Sequence, residues 1–142
     1  MEKERPKVGI GSLIVRDGKI LIGKIIAGHG NNTYMIPGGH LEFGESLAEG
    51  AMRELKEETG IVATQLTFLH MINEPREESH YIHVNFLFEN CPEEPTLTEP
   101  DKFSEWKWFD MNSLPENIFF GHKQFVPTYK SNLPFIDLAR TD

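Results

Sequence analysis

A single cysteine, Cys91, in 142 residues leaves no intramolecular disulfide and no cysteine-based zinc finger. No apolar run approaches the roughly 18–20 residues needed to span a bilayer. The charged opening from Met1 to Lys7 is not followed by the apolar stretch of a secretory leader. A soluble, cytoplasmic protein without a membrane partner is therefore expected. Basic residues are also scarce, 14 Lys and Arg against 22 Asp and Glu, a net charge of −8. Such a surface repels nucleic-acid backbones, so no nucleic-acid partner is expected. What the chain does have is bulky core material: 39% hydrophobic residues, including ten Phe and two Trp. That composition argues against disorder. At this length it supports one domain over residues 1–142, with residues 1–7 as a flexible tail.

Two β-branched runs, Val8–Val15 and Lys19–Ile26, flank Asp17-Gly18, a pairing that predicts a tight hairpin. Pro37-Gly38-Gly39 punctuates the chain and excludes a helix or a central strand there. Ser46–Thr59 is a helix, with Ser46 and Glu49 in capping-box spacing and Gly60 as the terminator. Leu66–Ile72, His80–Phe88 and Phe103–Phe109 read as strands, and Asn90–Pro100 as a solvated loop. Ser113–Leu138 reads as short helical pieces broken at Pro115, Pro127 and Pro134. Strands on both sides of a helix indicate an α+β or mixed α/β domain.

On a helical wheel, Leu47, Ala48, Ala51, Met52 and Leu55 form a core-facing arc. Glu54, Glu57 and Glu58 fall on a second arc beside it, because spacings of three and four share a face. Glu49, Arg53 and Lys56 take the outward side, where Glu49–Arg53 and Arg53–Glu57 are spaced as ion pairs. Two readings of the three glutamates stand. One is a solvated acidic face. The other is a site for hard divalent cations such as Mg²⁺, joined by a backbone carbonyl from the Pro37-Gly38-Gly39 turn.

The longer spacing is more specific. Gly39-x5-Glu45-x7-Arg53-Glu54-Leu55-x-Glu57-Glu58-x-Gly60-Ile61 matches the Nudix box at each specified position. At average residue frequencies a chance match falls below roughly one in a million. The chain thus resembles the Nudix hydrolases. Further segments resemble, more loosely, the MutT-like nucleoside triphosphate diphosphatase branch: Val8-Gly9-Ile10-Gly11, Ile36–Ser46, His80-Tyr81, Glu105-Trp106-Lys107-Trp108 and Ile118-Phe119-Phe120-Gly121.

The resemblance implies an α/β fold, an α/β/α sandwich around a mixed sheet with the box as loop–helix–loop. It also implies Mg²⁺-dependent attack of water on a nucleoside diphosphate linked to another group, with Mn²⁺ as a substitute metal. By similarity Glu57, Glu54 and Arg53 are catalytic, with Arg53 holding Glu57 or Glu45 in place. Gly38, Glu54, Glu57, Glu58 and Glu105 are metal ligands. Glu105 departs from the animal and plant relatives, which place an acid where this chain has Ser104. The general base is therefore open between a box glutamate and Glu105, with Glu99 as a substitute. Gly39, His80, Phe119 and Phe120 are expected at the substrate, although an ordinary core role also suits the two phenylalanines. His80 and His83 should lie on opposite strand faces, which excludes a two-histidine metal site. The implied substrate is a small nucleotide, a nucleoside triphosphate cleaved to monophosphate and pyrophosphate. ADP-ribose, NADH or a prenyl diphosphate are the alternatives, and a homodimer is the implied assembly.

Overall fold

The computed structural model describes residues 3–28, 31–118 and 125–138. Strand β1 (Lys7–Arg16) turns through Asp17 and Gly18, with φ of 51° and 74°, into β2 (Lys19–Ile25). These are the positive angles a two-residue hairpin requires. Lys7, expected in the tail, already pairs with Tyr81. After β3 (Tyr34–Met35), Gly38–His40 forms β4, antiparallel to β1 through Gly38–Gly11 and Gly39–Ile10 pairing. This corrects the expectation that Pro37-Gly38-Gly39 excludes a central strand. Pro37 precedes the strand and gives the ladder only its carbonyl, which accepts from the Ser12 N–H at 3.0 Å, and two glycines allow an approach that side chains would block. A Cβ on Gly38 would sit 2.5 Å from the Ile10 carbonyl oxygen.

Helix α1 (Leu47–Thr59) begins at Ser46, whose hydroxyl accepts from the Glu49 N–H in a complete capping box. Gly60, at φ 76°, ends it in the left-handed conformation, as glycine does without penalty. Strand β5 (Thr67–Pro75) runs three residues past the expected end, and β6 (His80–Glu89) and β7 (Phe103–Asp110) follow. The tail differs from a purely helical reading: α2 (Phe125–Ser131) is followed by β8 (Phe135–Asp137), which pairs with β5. Pro127 stands in the first turn of α2, where a missing N–H is tolerated.

The sheet order is β3-β2-β1-β6-β5-β8, with β4 added beside β1 and β7 beside β2. Parallel β1–β6 and antiparallel β5–β6 pairing make it mixed. Alternation along β1 divides the core. Ile10 and Ile14 join Ala51 and Leu55 beneath α1, whereas Leu13 and Val15 join Ile72 and Ile118 on the face covered by Tyr129 of α2. A helix on each face of a mixed α/β sheet is the layering expected.

Candidate active site

Helix α1 sets Ala48, Ala51, Met52 and Leu55 of the expected apolar arc against the core, while Leu47 is exposed. The buried stripe also takes in Glu58 and Thr59. Glu58 thus lies in the core stripe itself, 1% accessible, rather than beside it. It is held there by the Gly38 N–H at 2.7 Å to Oε1 and by Lys102 Nζ at 3.0 Å to Oε2. Burial pushes the Glu58 carboxyl up to about 7, against the opposing pull of Lys102 and the Gly38 amide. The Lys102 ammonium is partly desolvated, but Glu58 outweighs that and raises its pKa.

Arg53, expected on the outward side, is instead turned into the cluster. Its Nε and one terminal nitrogen grip Glu45 at 3.0 and 2.7 Å, and the latter also donates to the His40 carbonyl at 3.0 Å. The other terminal nitrogen lies 2.9 Å from Glu54 Oε1 and 3.4 Å from Glu57 Oε2. The two-pronged pair, reinforced by the Glu42 N–H, pulls the Glu45 carboxyl down to about 2. Glu49 is engaged at the cap instead of with Arg53. Glu54 rests on β4: a Cβ on Gly39 would overlap its carboxylate. The three glutamates form a gradient outward from the core, with Glu58 enclosed, the Glu54 side chain 14% exposed and that of Glu57 55% exposed.

Among the described residues no three acidic or histidine side chains stand ready-assembled around one point. The acids are occupied by cations of the chain itself, Arg53 on Glu54 and Glu57 and Lys102 on Glu58. An all-oxygen donor set already gathered around positive groups fits a hard divalent cation. Gly38 donates its N–H to Glu58, and its carbonyl is the atom expected at a metal. Glu105 is not brought to these groups. It alternates with Trp106, which packs on the α1 side with Leu55, so it faces the opposite side with Phe109.

From the glycines of β4 a cleft of about 180 Å³ continues over the other face of the sheet, between Gly9 and Gly11 of β1 and Tyr81, His83 and Asn85 of β6. His40 meets the Tyr81 hydroxyl at 3.0 Å, and the Tyr81 ring stacks on His83 at 5.7 Å. His83 Nε2 lies 3.1 Å from Glu74 Oε1, and Arg76 donates to Glu74 Oε2 at 3.1 Å. Burial opposes the Glu74 charge, but His83 and Arg76 outweigh it and hold the carboxyl below its usual range. His80 does not line this cleft. Its Nε2 is 2.6 Å from Asn73 Oδ1, and His83, three residues on, takes the place expected of it. Phe119 and Phe120 lie outside the described residues. Lys102, Glu74, Arg76 and Asn85 were not singled out from the sequence. Asn85 had a signal, a lone amide between Val84 and Phe86 in a buried strand.

An ADP-ribose pyrophosphatase of Methanocaldococcus jannaschii is 31% identical over 126 residues, 87% of this chain and 73% of that protein. An RNA pyrophosphohydrolase of Novosphingobium aromaticivorans is 28% identical over 133 residues, 80% and 82% of the two chains. The crystal structure of a MutT NUDIX hydrolase from Burkholderia pseudomallei matches with a TM-score of 0.83 at 28% identity, over 88% and 98% of the chains. A family model, the NUDIX domain, matches residues 3–129. With its acidic helix and adjoining cleft inside that span, the chain belongs to the NUDIX family, as a pyrophosphohydrolase acting on phosphoric anhydrides.

Proposed function

We propose that the protein hydrolyses a nucleoside triphosphate, ribo or deoxy and with oxidised bases included, to a nucleoside monophosphate and pyrophosphate, using Mg²⁺ with Mn²⁺ as a substitute. The observation that carries this reading is the cleft running from Gly38 and Gly39 to His83 and Asn85. At about 180 Å³ it is smaller than the roughly 300–1,000 Å³ of pockets for drug-sized ligands, and suits one heterocycle rather than a dinucleotide. Its other end abuts the acidic edge of α1, where a polyphosphate would lie.

Glu54, Glu57 and Glu58, with the Gly38 carbonyl, would hold the metal. The chemistry a divalent cation supplies there is neutralisation of the phosphate charge and activation of water. Arg53 fixes Glu54 and Glu57 from one guanidinium, and its grip on Glu45 anchors the loop before the helix. Glu57, the most exposed of the three, is the general base in this reading. Gly39 lets the Glu54 carboxylate and the substrate approach the backbone. A second reading, cleavage of ADP-ribose, is favoured by the 31% identical relative of that name.

The test is Mg²⁺-dependent turnover of natural and oxidised dNTPs, NTPs, ADP-ribose, NADH and geranyl diphosphate, with products separated chromatographically. Monophosphate plus pyrophosphate from a triphosphate is expected. Glu57→Gln should lower kcat at least a thousandfold with an unchanged melting temperature. Cleavage of ADP-ribose with silence on every triphosphate would overturn the substrate, and full activity in Glu57→Gln would overturn the site.

A further inference from the structure

Asn85 lies in the floor of the cleft, 3% accessible. Its amide is held from behind. Asn85 Nδ2 lies 2.9 Å from His70 Nε2, and His70 Nδ1 lies 2.7 Å from Thr128 Oγ1 on α2. An amide nitrogen only donates, so His70 Nε2 accepts and its proton sits on Nδ1, directed at Thr128. Burial, aided by His83, depresses the His70 pKa to about 4, which keeps the ring neutral as this arrangement requires. With Nδ2 committed, Asn85 Oδ1 projects into the space a side chain on Gly11 would fill, 2.5 Å from that Cβ position. Among the described residues this oxygen accepts no hydrogen bond. Glu74, the nearby carboxylate, has one oxygen on His83 and the other on Arg76.

We infer that the Asn85 carbonyl, aimed by His70 and Thr128, makes the cleft selective for nucleobases with an amino group where hypoxanthine and uracil carry an oxo group. An aligned acceptor in a nine-tenths buried site is satisfied by an N–H donor and left unpaired by an oxo group, and sites built on hydrogen bonds reject analogues that lack the partner. Adenine and cytosine derivatives are therefore preferred over hypoxanthine and uracil derivatives. Asn85 is the specificity residue. His70 and Thr128 are positioning residues acting through it. The inference rests on a nucleotide base occupying the cleft, but not on which anhydride is cleaved.

The experiment is calorimetric binding of AMP, IMP, CMP and UMP, alongside kcat/KM for ATP against ITP and CTP against UTP. The native protein should favour each amino member about tenfold, the value of one well-placed hydrogen bond. Asn85→Leu should bring both ratios to about one. Thr128→Val should lower them about threefold while Thr128→Ser restores them, which a merely structural role for Thr128 would not do, and this pair serves if Asn85→Leu fails to fold. Equal binding of AMP and IMP, a preference for the oxo members, or no binding of any monophosphate at millimolar concentration overturns the inference. Discrimination in binding without triphosphate cleavage would overturn the proposed substrate alone. Triphosphate cleavage without discrimination would overturn only the role of Asn85.

Discussion

One guanidinium in α1 serves acceptors from four residues: Glu45, Glu54, Glu57 and the His40 carbonyl. Only arginine offers a rigid fork able to grip one carboxylate with two N–H groups and still reach the others. The surrounding acids are mostly enclosed, with the Glu45 and Glu54 side chains 13% and 14% exposed. Removing the guanidinium leaves these charges poorly solvated, which generally costs more than a surface pair contributes. Arg53→Ala is therefore expected to lower the metal-free unfolding free energy by about 3 kcal/mol. It should also reduce kcat at least tenfold, because Glu54 and Glu57 lose their common anchor. Arg53→Lys keeps the charge but not the fork, and should recover less than half of either loss. Urea unfolding and steady-state kinetics measure both. Native stability and turnover in Arg53→Ala would show that the cluster organises itself without it.

At the scale of elements, the docking of α2 passes through a buried histidine. His70 is fully buried on β5, and Thr128 of α2 and Asn85 of β6 close on its two nitrogens. Its folded pKa, about 4, lies below the ordinary 6.5, so between those values the unfolded chain binds the extra proton. Stability from this group is complete above pH 6.5 and is lost as pH falls toward 4. At about 1.4 kcal/mol per pKa unit the loss approaches 3 kcal/mol. His70→Gln keeps hydrogen-bonding capacity without the titration, so the stability difference between native and variant should shrink by about that amount from pH 7 to pH 4. A difference independent of pH would mean that folding leaves the His70 pKa unshifted. Such a group also shows what was legible beforehand. The hairpin, the capped helix and the strands around it followed from Asp17-Gly18, Ser46, Gly60 and apolar alternation, all local signals. The acidic helix was legible because the box spacing is local too. Strand β4 was not, since two glycines after a proline look like punctuation until β1 supplies a partner. Nor were Lys102 beside Glu58, or His70 between Asn85 and Thr128, for these contacts join residues 44, 15 and 58 positions apart. The pairing of Arg53 with Glu57 and Glu45 is as expected, but its outward placing fails for a related reason. A wheel treats a helix as a cylinder between core and water, and the folded-back loop with Glu45 makes a third environment.

At the scale of the molecule, a net charge of −8 sets the problem of bringing a polyphosphate to an acidic protein. Within the site, Arg53 and Lys102 balance only part of the charge of Glu45, Glu54, Glu57 and Glu58. A divalent cation bound to the folded state alone must therefore stabilise it, by RT ln(1 + [M]/Kd), or about 2.7 kcal/mol at a hundred times Kd. For a chain of this length each kcal/mol raises the melting temperature by about 4 °C. Saturating Mg²⁺ should accordingly raise the Tm of chelator-treated protein by about 10 °C, and Mn²⁺ should do the same at lower concentration. Screening of the overall charge also stabilises, so ionic strength must be matched with NaCl, which acts on exposed charges over about 10 Å at 0.1 M. Glu57→Gln separates the two effects. It removes one of the whole molecule's charges but, under the proposed site, a principal oxygen donor. It should therefore abolish most of the Mg²⁺ shift while leaving the NaCl shift unchanged. A Mg²⁺ shift of equal size in native and variant protein would place the cation elsewhere on the acidic surface, and with it the role assigned to the outward glutamate of α1.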